Sequence, residues 1–116
     1  MSHYINEGML YSVSKTITSG TVTTEIDLQG GTFCGLIVPA SLSSTICTIT
    51  ASPTTGGTFT TVKDPTTNAA YTITTSGSAA WYFIPPIVTA SLRYIKINFD
   101  QTETSKTITV VYRSMD

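Results

Sequence analysis

Apolar residues fall along this chain in short bursts with a period of two, the spacing of a β-strand that buries one face. Tyr11, Val13 and Ile17 alternate with Ser12, Ser14, Thr16 and Thr18; after Ser19 and Gly20, the run Thr21 to Leu28 places Val22, Ile26 and Leu28 on one face. The two-residue Ser-Gly step predicts a hairpin between these runs. Gln29, Gly30 and Gly31 punctuate the chain, and Thr32 to Val38 (TFCGLIV) is apolar on both faces until Pro39, which predicts a central strand. Thr45 to Ala51 follows the connection Pro39 to Ser44 and is expected to pair back antiparallel, with Val38 opposite Thr45. That register sets Leu36 against Cys47 and Cys34 against Ile49, making the two thiols diagonal neighbours roughly 7 to 8 Å apart.

The second half continues in the same style. Ser52 to Gly57 is a turn, Thr58 to Lys63 a strand with Phe59 and Val62 on opposite faces, and Asp64 to Asn68 a second turn. Ala70 to Thr75 places Tyr71 and Ile73 on one side, and Trp81 to Ile84 (WYFI) is a short aromatic strand ended by Pro85 and Pro86. Ile87 to Ser91 then reads as an irregular bridge. Tyr94 to Phe99 turns Ile95, Ile97 and Phe99 inward, Asp100 to Ser105 forms a polar turn, and Lys106 to Tyr112 presents Ile108, Val110 and Tyr112 to the core. No window carries apolar residues at helical spacing over eleven or more positions. The fold class is therefore all-β: about nine short strands in an antiparallel two-sheet β-sandwich of jelly-roll or immunoglobulin-like type. An N-terminal arm, residues 1–10, precedes a single domain, residues 11–116.

Composition narrows the partners. Of 116 residues only 11% are charged, whereas 24 threonines and 13 serines fill the polar positions, so few charges remain to protect sheet edges. The formal net charge of −1 gives no field that would draw the chain to nucleic acid or to anionic lipid. The N-terminus has neither a basic segment nor an apolar one, so it does not read as a secretory signal, and no apolar run approaches the roughly 18 residues of a membrane helix. A cytoplasmic site of synthesis is expected. Cys34 and Cys47 are too few for a disulfide framework or a four-cysteine zinc site, and free thiols that act as small hydrophobes are expected.

Candidate chemistry is sparse. His3 is the single histidine and lies in the arm, so the domain has no obvious general base. The carboxylates Glu7, Glu25, Asp27, Asp64, Asp100, Glu103 and Asp116 fall in the arm, in turns or at strand ends; Glu25 and Asp27 share a solvent face. Gly30-Gly31 and Gly56-Gly57 lack the lysine and helix of a phosphate loop and read as turns. No catalytic, cofactor or metal residue is assigned, and an enzyme is not expected. What stands out is apolar. Trp81, Tyr82 and Phe83 are adjacent, so at least one points away from the core, and Tyr4, Ile5, Met9 and Leu10 make the arm more apolar than a solubilising tail. Tyr4, Ile5, Met9, Leu10, Trp81 and Tyr82 are the candidate interface residues.

Four stretches carry a resemblance: Phe33-Cys34-Gly35-Leu36-Ile37-Val38-Pro39; Ile49-Thr50-Ala51-Ser52 leading to Gly57-Thr58-Phe59-Thr60-Thr61-Val62-Lys63-Asp64; Tyr82-Phe83-Ile84-Pro85; and Arg93-Tyr94-Ile95-Lys96-Ile97. In that order, from about Thr32 to Tyr112, the chain resembles small β-sandwich virion proteins of tailed bacteriophages. The resemblance implies a capsid decoration or cement protein on the outer surface of the head, bound across subunits of the major capsid protein and forming a homo-oligomer, a trimer above all. Similar sandwiches occur in tail, fibre and baseplate proteins. A carbohydrate-binding module is the alternative that the aromatic and hydroxyl side chains suggest.

Overall fold

The computed structural model describes residues 10–89 and 91–113. The chain forms β1 (Leu10–Val22), β2 (Ile26–Asp27), β3 (Thr32–Val38), β4 (Ile46–Ser52), β5 (Thr60–Thr61), β6 (Thr72–Thr74), β7 (Ala80–Phe83), one helical turn α1 (Pro86–Thr89) and β8 (Tyr94–Arg113). The all-β class stands. The expected pair of separate sheets is replaced by one curled antiparallel sheet of eight strands, a half-barrel in outline.

The curl follows from β8. Six of the residues expected to form a turn, Asp100 to Ser105, instead continue the strand, so that β8 runs for 20 residues. At about 3.3 Å per residue it would span about 65 Å if straight, more than the 47 Å length of the molecule, so it must bend. The bend lies where the register against β1 slips, between Gly20 opposite Glu103 and Val22 opposite Asn98, with Ser105 in the left-handed region at φ 54°. The N-terminal half of β8 pairs with β2 and β4, and its C-terminal half with β1 and β3. The two halves enclose the core: Ile49, Ile95, Ile97 and Phe99 from one, Phe33, Leu36, Ile108 and Val110 from the other.

The same strand overturns two further expectations. Ser19 and Gly20 make no hairpin turn, because β8 offers them partners in Thr104 and Glu103 and β1 runs straight through. Val22 is left exposed on the far side of the slip, whereas Ile26 and Leu28 are buried as expected. Nor does β3 pair with β4. Both bind β8 at opposite ends, so Cys47 lies opposite Phe99 while the Cys34 thiol donates to the Val111 carbonyl, 3.6 Å away. The cysteines are free and share no diagonal. β3 is nevertheless central, flanked by β8 and β7.

After β7 the two prolines start α1 rather than an irregular bridge. Proline is preorganised for the first helical turn; Val88 N donates to Pro85 O, and the buried Thr89 hydroxyl donates to Phe33 O at 2.6 Å.

Candidate functional site

Strand parity decides which aromatics are available. Ile84 is fully buried, and Tyr82, two residues earlier, faces inward opposite Leu36 and packs against the core. Trp81 and Phe83 therefore point out, 61% and 70% exposed, the two most exposed large apolar side chains described. Tyr82, a candidate interface residue, is corrected to a half-buried core residue whose hydroxyl accepts from Ser76 N at 3.2 Å. Phe83 takes its place. The signal for it was in the sequence: once Ile84 is assigned to the core ahead of Pro85, alternation sends Phe83 to the side of Trp81.

The two rings sit on β7, which among the described strands pairs only with β3 and so comes last in the sheet. Registers extend their rows across it. Trp81 lies beside Ile37, then Thr109, then Ser14; Phe83 lies beside Gly35, then Val111, then Ser12. None of these eight side chains is charged. Trp81 is seated by Gly35: a Cβ there would strike the indole Nε1. The missing side chain lets the indole lie over β3, a cross-strand aromatic-on-glycine contact, with the rest of the ring in solvent. Farther along the face, Ser14 and Thr109 hydroxyls bond at 3.0 Å, and Thr16 and Thr107 at 2.7 Å. The arrangement is an aromatic margin beside two uncharged rows, in which Val111 is itself buried and beyond which Arg113 marks the next row.

Of the other candidate interface residues, Leu10 opens β1 opposite Arg113 and is half exposed. Tyr4, Ile5 and Met9, with His3, lie outside the described residues.

The five described carboxylates all serve the backbone. Glu25 accepts from Gly56 N, 2.8 Å, and from the Thr55 hydroxyl. Asp27 accepts from Gln29 N and Arg93 Nε, the latter an ion pair of 3.0 Å. Asp64 accepts from the amide and hydroxyl of Thr66. Asp100 takes the amides of Thr45 and Ile46, and Glu103 those of Ser43 and Ser44. Glu25 and Asp27 thus occupy the expected solvent face, but each holds a loop. The surprise is Glu103, expected in a solvated turn and found with no exposed surface. It lies at the bend of β8, where neither β3 nor β4 supplies a ladder, and with Asp100 it captures the amides of the passing connection in place of carbonyls. Its pKa lies below the ordinary glutamate value: burial opposes ionisation, and the donors of Ser44 and Ser43, with Lys106, outweigh it.

No group of three or more metal-ligating side chains occurs among the described residues. A shallow depression of about 150 Å³, lined by Ala51, Ser52, Pro53, Ser91, Leu92 and Arg93, falls short of the roughly 300 Å³ at which small-molecule sites begin. Nothing there converges on a reacting atom.

No protein-family model matches the chain, and no curated protein matches it. Among solved structures it is similar to the crystal structure of SPBc2 prophage-derived protein YomS, with a TM-score of 0.60 over 97% of this chain and 100% of that one. Sequence identity is 14%, so the likeness is one of fold.

Proposed function

We propose that the chain is a non-catalytic structural protein of a phage particle, and that it works by adhering through the Trp81–Phe83 face. The reading we favour is a capsid decoration protein that spans subunits of the major capsid protein, as a trimer on the outer head. The observation that carries it is the pair of exposed rings on the last described strand of the sheet, in two cross-strand rows without charge. A monomer in water gains nothing from leaving such rings bare, whereas aromatic anchors set in a neutral surface are what protein interfaces use. The prophage origin of YomS, which shares the fold, and the residue-level resemblance to phage virion proteins support the same direction. A decoration protein acts through area: each contact of about 1,000 Å² or more raises the free energy needed to separate the subunits beneath it.

The test is cosedimentation of the purified protein with expanded capsids that lack it, followed by cryo-electron microscopy of the loaded particles. Stoichiometric binding at a symmetry axis is expected, weakened at least tenfold by Trp81→Ala with Phe83→Ala. Failure to bind, or full binding by the double variant, overturns the reading. Density at the tail or baseplate would keep a structural role and move its place.

A glycan-binding module is the second reading, favoured by the indole laid over Gly35 beside paired Ser and Thr hydroxyls. Sugar-dependent quenching of Trp81 emission would select it.

A further inference from the structure

The buried carboxylate of Glu103 is connected to the aromatic face. Its Oε2 accepts from Ser44 N and Ser44 Oγ, both at 2.6 Å, and its Oε1 from Ser43 N at 3.0 Å. Ser44 in turn offers its carbonyl to the buried Thr75 hydroxyl at 2.6 Å, and Thr45 O accepts from Thr75 N at 2.9 Å. Thr75 opens the loop that leads into β7. That loop is also tied by Ser41 N to Gly77 O, 2.8 Å, and by Ser76 N to the hydroxyl of Tyr82, whose sequence neighbours are Trp81 and Phe83. Five steps, three of them hydrogen bonds, join a buried acid to the exposed strip.

We propose that Glu103 is an acid-sensitive latch: ionised, it holds residues 43 and 44 of the 39–45 connection against the bend of β8, and protonated, it loosens them and, through Thr75, repositions the strand that carries Trp81 and Phe83, while Asp100 and Gln101 keep the connection in place. A carboxylate is an acceptor at both oxygens, and three donors face it. A carboxylic acid turns one oxygen into a donor and discharges the acceptor of all three bonds: the Ser44 hydroxyl can turn, passing its hydrogen to Gln101 O at 3.1 Å, but the Ser43 and Ser44 amides can only donate, so their hold on the neutral acid weakens. The inference concerns coupling within the chain and holds whatever the strip binds.

Among the described residues, the groups that face Glu103 are few. On β8 they are Asp100 and Lys106; from β4 comes Cys47, whose thiol is pushed up to about 12 by burial, Asp100 and Glu103 and is neutral throughout the acid range. β1 places Gly20 opposite, and the connection contributes Ser43 and Ser44. The charge of Lys106 favours the ionised carboxylate and so the closed latch. Because the folded pKa is depressed, the latch is closed at and above the ordinary glutamate range and opens as pH falls through the lower, folded value.

Trp81 is the single tryptophan, so its emission reports on the strip without labelling. The experiment follows Trp81 emission and anisotropy, far-UV circular dichroism and the Glu103 carboxyl carbon resonance together, from about pH 7 down to about pH 2.5. In the native sequence the Trp81 signal and the Glu103 resonance should share one midpoint, below the ordinary glutamate value, while the strand signal persists. In Thr75→Val the Glu103 resonance should keep its midpoint and Trp81 should no longer follow it. In Ser44→Ala, which removes one donor, both should move to higher pH; in Asp100→Asn the Trp81 midpoint should stay. Glu103→Gln should show at neutral pH the emission that the native chain reaches in acid, and if it does not fold, the Thr75 and Ser44 variants carry the test alone. A Trp81 signal that ignores the Glu103 titration, moves only with loss of the strand signal, or follows Glu103 unchanged in Thr75→Val overturns the latch.

Discussion

Gly35 and Trp81 show how one residue sets what its neighbour can present. Glycine in a strand is usually a small loss of stability, yet here its bare Cα is the seat on which the indole rests. Gly35→Ala should therefore lose stability despite its better backbone entropy, and should shift Trp81 emission to the red as the ring is lifted into water; thermal unfolding and fluorescence check both. The thiols separate as cleanly. Cys47 is buried, with its pKa pushed up to about 12, whereas Cys34 is half-buried and raised less by burial, with Arg113 opposing. A thiol reagent at neutral pH should label Cys34 slowly and Cys47 only when the chain unfolds. Cys47→Ser, which places a hydroxyl in the core, should cost about 1–3 kcal/mol by chemical denaturation.

The decisive element is β8. Read as two strands and a turn, its sequence is well formed: two alternating apolar runs separated by Asp, Gln, Thr, Glu, Thr and Ser. Local chemistry at 100–105 favours a reversal, and what defeats it is a long partner. β1 lies antiparallel alongside from Arg113 to Glu103 and meets β8 again at Asn98, so a continuous, bent passage keeps ladder bonds that a turn would forfeit. The strain of bending collects at Ser105, a non-glycine residue at φ 54°. Ser105→Val should cost about 1–2 kcal/mol, because a β-branched side chain is poorly accommodated there, whereas Ser105→Gly should stay within about 0.5 kcal/mol of the native chain. Urea unfolding of the pair measures the difference. The connection 39–45 follows from the same bend: with neither β3 nor β4 beside β8 at that point, Asp100 and Glu103 bind the amides that would otherwise face an empty ladder.

At the scale of the whole molecule the scarcity of charge acquires a meaning. Each of the five described carboxylates accepts at least one backbone N–H, and each has a pKa below its ordinary value. A group whose pKa is lowered by folding stabilises the native state above its unfolded pKa and loses that contribution as pH falls through the folded value. The midpoint of urea unfolding should therefore be level from about pH 7 to about pH 5 and fall steeply below about pH 4, with Asp27 and its Arg93 partner contributing in a salt-dependent way. Edge protection is equally spare. β1 turns Lys15 toward the core side, a charge that discourages strand addition, while β7 has no charge and ends in two prolines. The proposed adhesive role therefore assigns contact to the face at β7 rather than to the long edge at β1.

Period two alone determined that this chain is built of strands, most of the residues they bury, with Val22 an exception, and that at least one of three adjacent aromatics must face outward, since alternation follows from the geometry of each strand by itself. It could not determine that two predicted strands are one, that β3 and β4 never meet, or that a polar residue in an apparent turn is a buried acid. Those depend on which strand lies beside which, and pairing is settled by the sum of ladder bonds and core burial over the whole sheet. A turn of six polar residues and a bent strand of the same six read alike until a partner thirteen residues long lies down beside them.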